Sequence, residues 1–170
     1  AVDERTRRYQ LPLWVMQSGR ATEILVRVPA NPTTPGGAPR PLLLVGHETD
    51  RDAQHAIASW APLADRFGLV LASWTEPYEP YRTVGWAFKA DAQQTAVEVL
   101  RAVRRRYDID ENRIVLGGVD RGGHMTWDIA LRNPDLFAGV IAANGSPRLG
   151  NVFWDNNMAF IEALAATPVR

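Results

Sequence analysis

The sequence predicts an α/β protein: a three-layer α/β/α sandwich on a mostly parallel sheet. Three observations lead there. Four short apolar runs, at residues 41–47, 69–74, 114–119 and 138–143, are continuous rather than alternating, the pattern of strands buried on both faces. The segments between them carry apolar residues at helical spacing. A glycine-framed turn joins the run at 114–119 directly to the next helical segment. Strands and helices that alternate in this way imply parallel strands with helices on both sides.

Composition narrows the function classes. The 170 residues suffice for one ordinary domain. Hydrophobic residues at 46% and charged residues at 22% are globular proportions. The 19 basic and 19 acidic side chains cancel, which argues against a nucleic-acid or anionic-membrane partner. No apolar stretch approaches the roughly 18 residues of a membrane span. Cysteine is absent, so disulfides, thiolate nucleophiles and Cys-based zinc sites are excluded. None of these features names a compartment. The chain opens at Ala1-Val2 and stops at Arg170. Both ends read as cuts, so the expectation is a single partial domain over 1–170, truncated before the last strands of its sheet.

The elements follow in order. Residues 1–10 are polar and Arg-rich and read as a loose lead-in. Residues 11–16 and 22–28 are apolar runs around Gln17-Ser18-Gly19-Arg20, the pattern of a β-hairpin. Residues 30–40, rich in proline and glycine, are a surface loop. The run at 41–47 is the first buried strand. Over 53–67, Ile57, Trp60, Leu63, Ala64 and Phe67 recur at helical spacing, and Gly68 suits the C-terminal cap. The strand at 69–74 leads into a polar, aromatic loop.

Over 91–107, Ala96, Leu100, Val103 and Tyr107 share one helix face. Arg101, Arg104, Arg105 and Arg106 crowd the end of that helix, where its dipole favours cations. The strand at 114–119 is followed by a helix over 122–132, ended by Asn133-Pro134. The strand at 138–143, a fourth helix over 153–166 and a strand opening at Pro168-Val169 complete the reading.

The most specific signal is Gly118-Val119-Asp120-Arg121-Gly122-Gly123, where a buried strand turns straight into a helix. Glycines two before and two after a central residue let the strand and helix backbones approach closely. The central residue, Asp120, is then expected to be strained, with a positive φ, and to project its side chain over the sheet edge. This arrangement resembles the nucleophile elbow of the α/β-hydrolase superfamily. It is most similar to the carboxylesterase, feruloyl-esterase and prolyl-oligopeptidase-like branch. The residues that carry the likeness are Gly122-Gly123-His124, and Asn133-Pro134-Asp135-Leu136-Phe137-Ala138-Gly139-Val140-Ile141 leading to Asn144-Gly145.

The resemblance covers residues 10–170 and implies an ester- or peptide-bond hydrolase lineage. It also implies that the strand at 114–119 lies between those at 41–47 and 138–143, all parallel. The family's serine position holds Asp120. Its acid and histidine follow later strands, which would lie beyond Arg170. Its oxyanion donors would be the backbone N–H of Arg121 and the loop after the first long strand. That loop usually reads His-Gly, and here Gly46-His47-Glu48 stands in its place.

Asp120 admits three readings. A carboxylate cannot replace serine in acyl transfer at neutral pH, because its acyl product is an anhydride and its charge opposes the oxyanion. The chain is then an impaired hydrolase. The second reading is a non-catalytic binding or scaffolding protein that keeps the fold and pocket. In the third, Asp120 is a nucleophile toward carbon, as in the superfamily's dehalogenases and epoxide hydrolases, with a His base outside this chain.

Other residues carry weaker signals. His47 ends a central strand at the edge where open α/β sheets bind ligands, so it and Glu48 are candidate site residues. His55 reads as solvated and His124 as structural. Residues 47–55 are rich in metal-ligand types but lack HExxH spacing, since position 51 is Arg. Trp74, Tyr78, Tyr81 and Trp86 follow the second central strand. They would wall a pocket for aryl or sugar-linked esters, or else pack on the core. No cofactor or metal is implied, and the expected ligand is a small ester or peptide. The edge of the strand at 138–143 lacks a charged gatekeeper and is expected to be completed by missing residues or by another chain.

Overall fold

The computed structural model describes residues 3–12, 21–30, 37–75 and 90–147. Tyr78, Tyr81, Trp86, the helix expected over 153–166 and the strand expected from Pro168 lie outside the described residues. The elements are β1 (Thr6–Pro12), β2 (Ala21–Arg27), β3 (Arg40–Gly46), α1 (Ala53–Phe67), β4 (Val70–Trp74), α2 (Ala90–Arg104), β5 (Ile109–Val119), α3 (Arg121–Arg132) and β6 (Gly139–Ala143). Among the described residues the strands form one sheet in the order β1-β2-β4-β3-β5-β6. The pairs β4–β3, β3–β5 and β5–β6 are parallel, whereas β1–β2 and β2–β4 are antiparallel. The mostly parallel sheet and the place of β5 between β3 and β6 are those the sequence predicts.

Continuous apolar runs serve both faces of this sheet because successive side chains point to opposite sides. Leu42 and Leu44 of β3 join Ala96, Val99 and Leu100 of α2 and Met125 and Ile129 of α3 in one core. Leu43 and Val45 face the other way and pack with Ala53, Ala56, Ile57 and Ala64 of α1. The sheet therefore lies between α1 and the α2–α3 pair, which gives the three layers. Helix α1 has the bounds its spacing predicts. Asp52 caps its start by accepting from the His55 N–H at 2.8 Å. Gly68 ends it at φ 66°, a left-handed cap that costs glycine little. Among the described residues no helix is long and apolar enough to cross a membrane.

Four expectations need correction. Residues 6–10, read as a lead-in, form most of β1, paired with β2 from Thr6↔Arg27 onward. Their arginines hide the strand in the sequence, yet Tyr9 turns inward, and its hydroxyl meets that of Tyr107 at 2.7 Å. Helix α2 stops at Arg104 rather than Tyr107. Residues 105–107 instead close turns on Arg101 and Val103, which frees Tyr107 to reach Tyr9.

Strand β5 starts at Ile109, five residues earlier than its apolar run suggests, because Ile109 pairs with Arg40 across a register shift. The polar residues between are held locally, with Arg113 Nε on Asp110 at 2.6 Å. Strand β6 is not buried on both faces: Ile141 is 41% exposed. Among the described residues β6 has a strand neighbour on one side only.

Candidate functional site

Register sets the site. Gly46 at the end of β3 pairs with Gly118 near the end of β5, and Val119 pairs with Ala143 of β6. The loop after β3, the turn after β5 and the loop after β6 therefore leave the sheet at one level, at the carboxyl ends of parallel strands. Open α/β sheets bind ligands at this edge.

A single residue, Asp120, separates β5 from α3. Its φ is 54° and its ψ −117°, a conformation that costs a non-glycine residue on the order of 1–3 kcal/mol. The turn is over-determined by its neighbours. The Asp120 N–H donates to the Ala143 carbonyl at 3.0 Å, and its own carbonyl accepts from the His124 N–H at 3.0 Å. A Cβ on Gly118 would stand 2.3 Å from the Gly122 carbonyl, and one on Gly123 2.6 Å from the Ala143 oxygen. Side chains at those positions would push helix and sheet apart.

The Asp120 side chain does not cap its own helix. It reaches across to the loop after β3, where the Thr49 backbone N–H donates to Oδ2 at 3.3 Å. The Thr49 hydroxyl donates to the same oxygen. The Thr49 hydroxyl holds the carboxyl below its ordinary value of 3.8, working against partial burial, and the backbone N–H groups of Arg121 and Thr49 and the charge of His124 add to it. Each of these donors favours the ionised form. One backbone donor, the Thr49 N–H of the β3–α1 loop, thus serves this carboxylate. Oxyanion holes on this fold take one donor from this loop and the other from the residue just after the turn.

The sequence-derived candidates are distributed as follows. Arg121 opens α3 and is buried, 2% exposed, and its backbone N–H helps hold the Asp120 carboxyl low. His47 is also buried, 1% exposed, with Nδ1 donating to the Glu48 carbonyl at 2.8 Å. Glu48 stands half-buried with its carboxylate 3.9 Å from His55 Nε2 on α1. Trp74 is fully buried among the core residues on the α2–α3 side, so it packs rather than lining a pocket. His124 is tied to the loop after β6, with Nδ1 2.9 Å from the Ser146 N–H and 3.0 Å from the Ser146 oxygen. Among the described residues no three His, Asp or Glu side chains are grouped to hold a metal ion.

Thr49 is the residue that sequence reasoning missed. Its signal was faint: a hydroxyl residue three positions past the end of a central strand, in the loop facing the glycine-framed turn.

No family model matches the chain. Over 135 residues it is 31% identical to a poly(3-hydroxybutyrate) depolymerase from Ralstonia pickettii, a match covering 69% of this chain and 28% of the relative. The chain thus spans little more than a quarter of that curated relative. An S-formylglutathione hydrolase from Staphylococcus aureus superposes with a TM-score of 0.69 at 16% identity, over 95% of this chain and 72% of that one. A poly(3-hydroxybutyrate) depolymerase from Bordetella parapertussis superposes with a TM-score of 0.65 at 24% identity, over 87% of this chain and 55% of that one. A thermostable esterase gives a TM-score of 0.69 at 17% identity, over 98% of this chain and 46% of its own. The proteins it resembles are hydrolases, and the chain has the α/β-hydrolase fold.

Proposed function

We propose that the chain carries the central sheet and reactive turn of an ester-hydrolase lineage in which Asp120 stands at the serine position, and that serine-type acyl transfer is impaired. One observation carries this reading: Oδ2 of Asp120 itself sits on the Thr49 N–H. The oxyanion of a tetrahedral intermediate would need that place. An ionised carboxylate there repels the developing charge, and its own acylation would give an anhydride. The names of the similar proteins, an esterase, an S-formylglutathione hydrolase and poly(3-hydroxybutyrate) depolymerases, support esters and thioesters as the ligand class.

The test is hydrolysis of p-nitrophenyl acetate and butyrate, and of a 3-hydroxybutyrate ester, by the protein and its Asp120→Ala variant. Neither should exceed the buffer rate. Turnover by the unmodified protein that the variant loses would overturn the reading. Asp120→Ser alone should not create activity. The chain has three histidines, and their rings are held by the Glu48 carbonyl, beside the Glu48 carboxylate and by Ser146.

A second observation favours a different chemistry. Both Thr49 donors fall on Oδ2, so neither occupies Oδ1. Oδ1 could attack a saturated carbon, with the leaving group departing with the bonding electrons. Oδ2 would become the carbonyl oxygen of the ester, already on its donors. Water attacking Cγ, with its proton taken by a base outside the described residues, would release the alcohol and restore the carboxylate. Halide release from 1-chlorobutane, or diol formation from an epoxide, with transient alkylation of Asp120 seen by mass spectrometry, would select this chemistry.

A further inference from the structure

We infer that Thr49 is a positioning residue that commits this site to a carboxylate at position 120. The inference rests on the reading that Asp120 stands at the serine position of the turn, and it concerns how that side chain is held. Thr49 lies between the end of β3 and the Asp52 cap of α1. The chain turns sharply there, with Asp50 at φ 55° and the Arg51 N–H on the Glu48 carbonyl at 3.3 Å. In this turn both Thr49 donors, the N–H and the hydroxyl, meet one oxygen of a residue 71 positions away. An ionised carboxylate only accepts, so the hydroxyl proton is committed to Oδ2.

A serine at 120 could not replace this contact. Its oxygen sits one bond closer to the backbone, ~1.2 Å short of where Oδ2 stands. The Thr49 hydroxyl therefore matches an aspartate at 120 and not a serine, which makes the two residues a fitted pair. Three consequences follow for the same side chain. One oxygen is selected and tied down, the carboxyl is kept ionised, and Oδ1 is the oxygen that Thr49 leaves to a ligand.

The experiment is a carboxyl titration by NMR on protein with 13C-labelled aspartate, with the Asp120 signal assigned by its loss in Asp120→Asn. Thr49→Val keeps the backbone N–H and nearly the same shape but removes the hydroxyl, and Thr49→Ser keeps the hydroxyl. The Asp120 midpoint should rise toward 3.8 in Thr49→Val and stay at the unmodified value in Thr49→Ser. A folded Thr49→Val protein whose Asp120 titrates as before would overturn the inference. So would a Thr49→Ser protein that shifts as far as Thr49→Val. Should the valine variant not fold, Thr49→Ala is read in its place. The titration reports the clamp whether or not any ester is turned over, so its failure is distinct from failure of the proposed function.

Discussion

Gly122 of α3 lies against Gly46 at the end of β3, so closely that a Cβ on Gly122 would stand 2.4 Å from the Gly46 carbonyl oxygen. This contact lets the helix start directly over the strand ends, with the His47 carbonyl oxygen 3.0 Å from the same Cβ position. The two glycines are not equivalent. A Cβ on Gly46 would first meet the terminal methyl of Met125 at 2.2 Å, the end of a flexible side chain that can move aside.

Gly122→Ala should therefore destabilise the fold by about 1–3 kcal/mol or more, since backbone must shift. Gly46→Ala should cost clearly less. Urea unfolding midpoints of the two variants check this, and equal losses would contradict the packing described.

Asp120→Gly should be more stable than Asp120→Ala by about 1 kcal/mol. Both variants lose the Thr49 hydrogen bonds, so that loss cancels. Only alanine keeps the strain of φ 54°, on the order of 1–3 kcal/mol. That exceeds the roughly 0.4–1 kcal/mol of extra unfolded-chain entropy that glycine brings. Denaturant titration of the pair measures the difference, and a more stable alanine variant would mean that the turn is relaxed.

The Thr49 hydroxyl, opposed by partial burial and aided by backbone N–H groups, holds the Asp120 carboxyl below 3.8 when folded. A depressed folded value stabilises the protein fully above the unfolded value. The contribution is lost as pH falls below 3.8 through the folded value. The stability gap between the unmodified protein and Asp120→Asn should thus be wide at pH 7 and narrow steadily in the acid range. All other carboxyls are common to both proteins and cancel. A gap unchanged by acid would show that the carboxylate is not held.

Arg27 of β2 is 5% exposed and sits between two acids. Its guanidinium donates to both Asp65 oxygens, one of them at 2.9 Å, and to Asp3 Oδ2 at 3.1 Å. Asp65→Ala strips most of that partnership from a buried cation and should cost about 1–3 kcal/mol. Asp3 remains and Asp65 itself is one-third exposed, which keeps the loss below that of a fully buried pair. Adding Arg27→Met to Asp65→Ala should recover part of the loss, because no charge is then left buried. Thermal unfolding of the single and double variants decides it.

What was legible in the sequence was local. The bounds of α1 follow from apolar spacing and the left-handed Gly68, which act within one helix. Strands β3 and β4 show as continuous apolar runs because each is covered on both faces. The glycine pattern around Asp120 marks a close strand–helix approach because no side chain fits there. Strand β1 was not legible, since among the described residues its arginines lie at a sheet edge, where charge is tolerated. The start of β5 was hidden for a related reason: its polar residues satisfy one another locally.

The sequence by itself determined that a carboxylate stands at a strained turn between a buried strand and a helix. Only the tertiary structure decided what that carboxylate touches. The pairing Gly46↔Gly118 brings the ends of β3 and β5 to the same height, and Asp50 turns the loop so that Thr49 faces Asp120. A contact between residues 71 positions apart depends on sheet register and on one loop turn. Neither leaves a periodic mark on the residues around Thr49, whereas burial and helical spacing mark every residue they govern.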